Sequence, residues 1–333
     1  MNSKEIIKRV IDFKSPVRIG LDFNHPHHSD LLSLNLPFNN TGWGTDTSLE
    51  KEVPNFKGQL MKDVYGNIWG RLENISKGEV VKGALQDSWE KFKNYSMPTV
   101  HKEWVNDLKE KIASNNDKYV IGNLPNFFFS IMRTLRGMEN FLMDILLEPE
   151  YVNELGEKIT VFLEEIIDLY AAAGVDGIMY CEDWGTQTAL LISPKDWRRV
   201  FKPWYQRISN KIHSHKMHMI MHSCGYIYDI VEDLIEVGID VLQLDQPTLM
   251  DMERLSKEFV GRVTFYCPVD IQKIMQTGDK NLIEEGARTM MRLLGTPKGG
   301  FIAKDYPQWD AIDVKEEWAQ WARDVFIKEG YLE

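Results

Sequence analysis

From residue 151 onwards one cycle of helix and strand repeats, and this limits the possible folds more than any other feature of the chain. Apolar residues at Val152, Leu155, Ile159, Phe162, Leu163, Ile166, Ile167 and Tyr170 predict a helix over 151–173 that stops at Gly174. A strand over 175–181 follows. Ser193-Pro194-Lys195-Asp196 then opens the next helix, with a capping serine, a proline in the first turn and a carboxylate three residues on. The cycle recurs as strand 217–222 with helix 227–237, strand 239–244 with helix 249–259, strand 262–267 with helix 279–294, and strand 299–303 with helix 313–329. Five βα units in succession mean a parallel sheet covered by helices. With three more strands from the first 150 residues the sheet closes as a (β/α)8 TIM barrel; a doubly wound open sheet is the alternative.

The first half is less regular. Residues 1–12 read as a helix and Pro16 to Phe23 as the first strand, which runs into the polar cluster Asn24-His25-Pro26-His27-His28. Between 24 and 117 aromatics alternate with turn residues, as in Phe38-Asn39-Asn40-Thr41-Gly42-Trp43-Gly44, a pattern that suits loops and short hairpins. We read this stretch as an irregular insertion that shapes a pocket and rejoins the main fold at the strand Lys118 to Gly122, with residues 1–333 forming one domain. No apolar run approaches the eighteen residues of a membrane span, and the N-terminus reads as an amphipathic helix, not as a signal peptide; a cytoplasmic protein is expected. A net charge of −11 without clustered Lys and Arg excludes nucleic acid as a partner. Three cysteines in 333 residues are too few for a disulfide framework, so reduced thiols are expected.

In a barrel of this kind chemistry sits where strands hand over to the following loops. The predicted strands present there Asn24 with His25 or His27, then Cys181-Glu182-Asp183-Trp184, His222-Ser223-Cys224, Gln243-Leu244-Asp245-Gln246, Cys267-Pro268-Val269-Asp270 and Lys304-Asp305-Tyr306. Imidazole nitrogen and thiolate sulfur together favour zinc, and the apolar run Met217–Met221 delivers His222 and Cys224 to the rim as a His-x-Cys pair. A catalytic zinc takes about three protein ligands and keeps one position open. The third is expected from Cys267 or Glu182, with Asp305 next. Cys181 is expected to be a small core residue. Asp245 and Asp270 are either helix caps or site carboxylates, and His213, His215 and His218, at the opposite end of their strand, are expected to be structural.

Several stretches resemble the uroporphyrinogen decarboxylase superfamily: Leu135-Arg136-Gly137-Met138-Glu139-Asn140, Glu182-Asp183-Trp184-Gly185-Thr186-Gln187, Ile192-Ser193-Pro194, His222-Ser223-Cys224-Gly225 and Gly299-Gly300-Phe301-Ile302. The resemblance runs from Phe13 to the C-terminus and implies a single-domain (β/α)8 barrel. The decarboxylase itself has an arginine-rich N-terminal segment, where this chain offers only Arg18. The His-x-Cys pair is similar to that of the cobamide-dependent methyltransferases, which add a later cysteine; near Asp305 this chain has none. The aromatic front and the Glu-Asp-Trp-Gly segment look like the methyltransferase I components of O-demethylase systems. That resemblance implies methyl transfer from a methoxylated aromatic to a corrinoid (cobalamin) carried by a separate corrinoid protein. Glu182, Asp183 or His25 would then orient the ring's substituents. A metal-free decarboxylase of the family type is the alternative.

Overall fold

The computed structural model describes residues 1–72 and 78–332; residues 73–77 of the insertion lie outside them. In chain order the strands are β1 (Gly20–Asp22), β2 (Leu31–Asn35), β3 (Gln59–Lys62), β4 (Ile68–Arg71), β5 (Glu79–Lys82), β6 (Tyr119–Asn123), β7 (Gly177–Cys181), β8 (His218–Ser223), β9 (Val241–Leu244), β10 (Thr264–Cys267) and β11 (Phe301–Lys304). β3, β4 and β5 make a small antiparallel sheet, and the other eight form one sheet in the order β1-β11-β10-β9-β8-β7-β6-β2. Every pair in the larger sheet is parallel.

β1 and β2 stand at the two ends of that order. The chain closes the seam between them by turning back after β1, so that Ser29 pairs antiparallel with Asp22 and the Asp30 amide donates to the Leu21 carbonyl at 2.7 Å. The result is a (β/α)8 TIM barrel, as the five βα units predict. The insertion differs from expectation in one respect. β2 belongs to the barrel wall, so the chain leaves the main fold only after residue 35. The short hairpins expected in this stretch are β3 to β5.

Two cores follow from the alternation of side chains along each strand. Outward-facing residues such as Val120, Ile178, Met219, Met221, Leu242, Phe265 and Phe301 are buried under the surrounding helices. Inward-facing residues form a second, smaller core from Ile121, Ile220, Val241, Tyr266 and Ile302, and a short N-terminal helix, α1 (Ser3–Ile11), completes it with Ile6, Ile7, Val10 and Ile11. The Asn2 side chain caps α1 by accepting from the Glu5 amide at 3.0 Å. α1 thus plugs the N-terminal end of the barrel. Gly20 permits the approach, because a Cβ there would meet Ile7 Cδ1 at 2.6 Å.

Moving up the inner wall by two residues changes its character on five of the eight strands. Ile121 gives way to Asn123, Met179 to Cys181, Ile220 to His222, Val241 to Gln243 and Ile302 to Lys304. An apolar floor therefore carries a polar rim at the C-terminal ends of the strands.

Candidate functional site

Cys181, His222 and Gln243 are register partners across β7, β8 and β9, so their side chains stand next to one another on that rim. Two residues beyond His222 the alternation brings Cys224 to the same side, and two residues beyond Cys181 it brings Asp183. The Cys224 amide donates to Asp183 Oδ1 at 2.8 Å, which ties the two loops together. His222 Nε2 lies 3.4 Å from Cys224 Sγ and 3.5 Å from Asp183 Oδ1. One ligand atom from each of the three residues falls within 4.8 Å of the other two. Gly225, at φ 77°, makes the turn that follows possible, since a Cβ there would lie 2.4 Å from the Gly185 carbonyl oxygen.

A buried chain of hydrogen bonds fixes which nitrogen of His222 faces this group. Lys304 Nζ donates to Asp245 Oδ1 at 2.8 Å, and Gln243 Nε2 donates to the same oxygen at 2.7 Å. Asp245 is buried, which opposes ionisation, but Lys304, with His222 and the Gln243 amide, outweighs this and holds its carboxyl below the usual range. An ionised carboxylate only accepts, so the Gln243 amide nitrogen must face Asp245 and its oxygen must face His222 Nδ1, 2.5 Å away. Nδ1 then carries the proton and Nε2 offers its lone pair to the cluster.

The donor set suits zinc: an imidazole nitrogen, a sulfur and a carboxylate oxygen converge from two adjacent strand ends. Burial, followed by the charges of Asp183 and Asp245, pushes the Cys224 thiol up to about 12. A divalent cation held among these atoms would reverse that balance and favour the thiolate. Tyr306, on the loop after β11, stands near the same groups; burial and then Asp245, Cys224 and Asp183 raise its hydroxyl above the ordinary value.

The other predicted residues fall elsewhere, and strand parity explains most of them. Glu182 is one residue from Asp183 and so lies on the outer face, fully buried. Its carboxylate accepts from the Ser130 amide at 3.0 Å and from the Tyr205 hydroxyl, which in turn accepts from Trp184 Nε1 at 2.9 Å. Burial raises Glu182 to about 7, against the lowering by Tyr205 and Ser130. Cys267 shares the outward parity of Phe265 and is buried in the helix-facing core. Asp305 is likewise outward and pairs with Arg323 Nε at 3.0 Å and 3.1 Å. The expected third ligands Glu182, Cys267 and Asp305 are therefore not brought to the cluster, and Asp183 is. Cys181 departs from its expected core position in the opposite sense, being exposed on the inner rim. His25 is exposed in the loop after β1, whereas His27 Nε2 contacts Glu316 at 3.0 Å and Arg323 at 2.9 Å. Asp270 accepts from the Gln272 and Lys273 amides, the capping alternative. Gln243 and Lys304 were not singled out for a role; their signal is their place two residues above an apolar inward residue.

A methyltransferase from Methanosarcina mazei superposes with a TM-score of 0.63 at 12% identity, over 80% of this chain and 76% of that one. A D-psicose 3-epimerase from Clostridium cellulolyticum H10 gives a TM-score of 0.40 at 11% identity, over 72% and 83% of the two chains. Among curated proteins none matches the sequence. No helix among the described residues is long and apolar enough to cross a membrane. The family model described as Uroporphyrinogen decarboxylase (URO-D) matches residues 126–304, from just after β6 to the end of β11. That span is more than half of the chain and contains Asp183, His222 and Cys224, so the chain belongs to the uroporphyrinogen decarboxylase family.

Proposed function

We propose that this protein is a zinc-dependent methyltransferase that removes the methyl group of a methoxylated aromatic and delivers it to a corrinoid (cobalamin) held by a partner protein. The observation that carries the reading is the convergence of His222 Nε2, Cys224 Sγ and Asp183 Oδ1 at the barrel mouth, with His222 fixed in the tautomer that presents a lone pair. His222, Cys224 and Asp183 would hold the metal. Zinc bound there would supply Lewis acidity at the ether oxygen, whose departure as a phenolate, with a pKa of about 10, otherwise makes the bond inert.

The chain's own residues perform the positioning. Gln243 and Asp245 orient the imidazole, and Lys304 holds Asp245 in the ionised form that this orientation requires. Glu182 anchors the loop after β7 to the Ser130 amide, directly beside Asp183. Cys181 presents its thiol next to His222 on the same rim.

The alternative, a metal-free decarboxylation of a polycarboxylate, needs free cations at the mouth. Lys304, the inward-facing cation of the described barrel strands, is paired with Asp245. Arg18 contributes both terminal nitrogens to Asp30, at 2.7 Å and 2.8 Å, beside the plugged end of the barrel.

The test is metal analysis of the purified protein followed by methyl transfer to reduced cobalamin. About one zinc per chain is expected, lost with the transfer in a His222→Ala/Cys224→Ala variant. Protein that is metal-free as isolated and indifferent to chelators would overturn the reading.

A further inference from the structure

Beside the rim lies a cavity of about 220 Å³, roofed by the hairpin between β3 and β4. Asn35, Asn123 and Asn126 line its barrel side, and Phe38, Asp63 and Trp69 its insertion side. We infer that this cavity is the seat of the substrate ring, and that it selects an uncharged, hydrogen-bonding methoxyaromatic over a carboxylated one. The inference rests on the methyl-transfer reading for the substrate's methyl group, but the cavity's selectivity is argued from its own walls.

Position is the first argument. Asn35 and Asn123 are register partners on β2 and β6, with Asn123 Nδ2 donating to Asn35 Oδ1 at 3.2 Å. Asn123 pairs with Met179, two residues below Cys181, and Cys181 pairs with His222. Asn123 therefore faces the same inner wall as the metal-ligand cluster, two strands away, or about 10 Å at the usual strand spacing, and two residues lower, or about 7 Å.

Size is the second. A dry cavity of about 150 Å³ accepts benzene, so about 220 Å³ has room for one ring with a few substituent atoms.

Chemistry is the third. Of the described residues that line the cavity, none is Lys, Arg or His. Asp63 adds a negative charge, but its carboxylate already accepts from the Tyr65 and Asn67 amides, Asn67 Nδ2 and Trp69 Nε1, all within 3.0 Å, and is committed to holding the hairpin. A substrate carboxylate here would lose its hydration, meet this charge and find no cation. Neutral groups are well served. The side-chain amides offer both donors and acceptors, Trp69 and Phe38 offer ring faces, and the Tyr65 hydroxyl is buried beside Asn126 without a well-formed hydrogen bond.

The experiment is calorimetric titration of the zinc-loaded protein with 2-methoxyphenol and with 4-hydroxy-3-methoxybenzoate. The phenol is expected to bind about ten-fold or more tightly than the benzoate. Asn126→Arg should reverse that order. Asn40→Lys, on the exposed lip of the same cavity, should shift it in the same direction if Asn126→Arg fails to fold. Equal or tighter binding of the benzoate by the wild type overturns the inference, as does binding of neither ligand, preference for a choline probe, or indifference to both substitutions. Tight binding of the phenol without methyl transfer to reduced cobalamin would uphold the cavity assignment and defeat the methyl-transfer reading.

Discussion

Strand β8 carries a histidine near each end of the barrel, and the two are used in opposite ways. At the plugged end His218 has both ring nitrogens engaged, Nδ1 with the Tyr119 hydroxyl at 2.8 Å and Nε2 with Asp12 at 3.0 Å. At the open end His222 has Nδ1 engaged with Gln243, and its Nε2 faces only a thiol and a carboxylate. The surroundings follow the same division. Around the plug, Asp176 meets Lys4 and Lys8, Asp30 meets Arg18, and α1 fills the space above with aliphatic side chains. At the mouth, a thiol, a carboxylate and an imidazole face one another across a cluster with room for a cation. One end of the barrel stabilises the fold and the other gathers reactive groups.

The largest effect that would sharpen this contrast comes from exchanging the two histidines' fates. His222→Ala combined with Cys224→Ala should abolish zinc binding and methyl transfer while leaving the melting temperature close to that of the metal-free wild type. His218→Ala should do the reverse, keeping zinc and losing about 1–3 kcal/mol of stability as Tyr119 and Asp12 are left without their partner. Loss of zinc from His218→Ala, measured by elemental analysis, would break the division between the ends.

Next comes the ion pair at the plugged end. Burial opposes the ionisation of Asp30, but bonds from Arg18 and Ser3 outweigh it and hold the carboxyl below its ordinary value. A depressed folded pKa stabilises the protein above the unfolded value of about 3.9, and that stabilisation disappears as pH falls through the lower folded value. Asp30→Asn should therefore cost about 3–5 kcal/mol at neutral pH and flatten the loss of stability below about pH 4 in denaturant melts. An unchanged acid limb would remove Asp30 from the account.

The plug itself should matter slightly less. Ile7 is fully buried against the inner core, and Ile7→Ala should cost about 2–5 kcal/mol with no change in zinc stoichiometry. A variant that unfolds no more easily but releases zinc would show that α1 serves the mouth instead of the base.

The contrast also explains what could be read from the sequence. The barrel was legible because the helices of the second half have one apolar face and stop at residues such as Gly174 and Gly238, so five βα units stand out. His222 and Cys224 were legible as a pair two residues apart, a spacing that puts both on one side of a strand. Their third companion was not. Barrel strands are apolar on both faces, so Ile178-Met179-Tyr180 carries no alternation that says whether Cys181 or Glu182 looks inward. The one-residue difference between Glu182 and Asp183 decides everything about their surroundings, and only the register of β7 on β8 supplies it. β2 was hidden for another reason. Its neighbour in space is β6, some 85 residues on, and the chain enters it from a tight return instead of a helix.

The smallest effect tests whether the mouth's chemistry depends on groups that touch neither metal nor substrate. In Gln243→Leu the His222 Nδ1 proton loses its acceptor, and the ring is free to take either tautomer and to tilt. Zinc affinity should fall about 10–100-fold, or about 1.4–2.7 kcal/mol, as measured by competition with a chromogenic chelator. Lys304→Met acts one step further back. Without its cation the buried Asp245 gains a proton, can donate to Gln243, and so permits the amide to present nitrogen instead of oxygen to His222. Nitrogen-15 spectra of histidine-labelled, metal-free protein should then record a change of tautomer at His222 in both variants, while His218, bonded to groups unaffected by either substitution, keeps its signal as the internal reference. If His222 holds its wild-type tautomer in both, the loops after β7 and β8 orient it unaided, and the polar rim beyond them belongs with the structural end of the barrel.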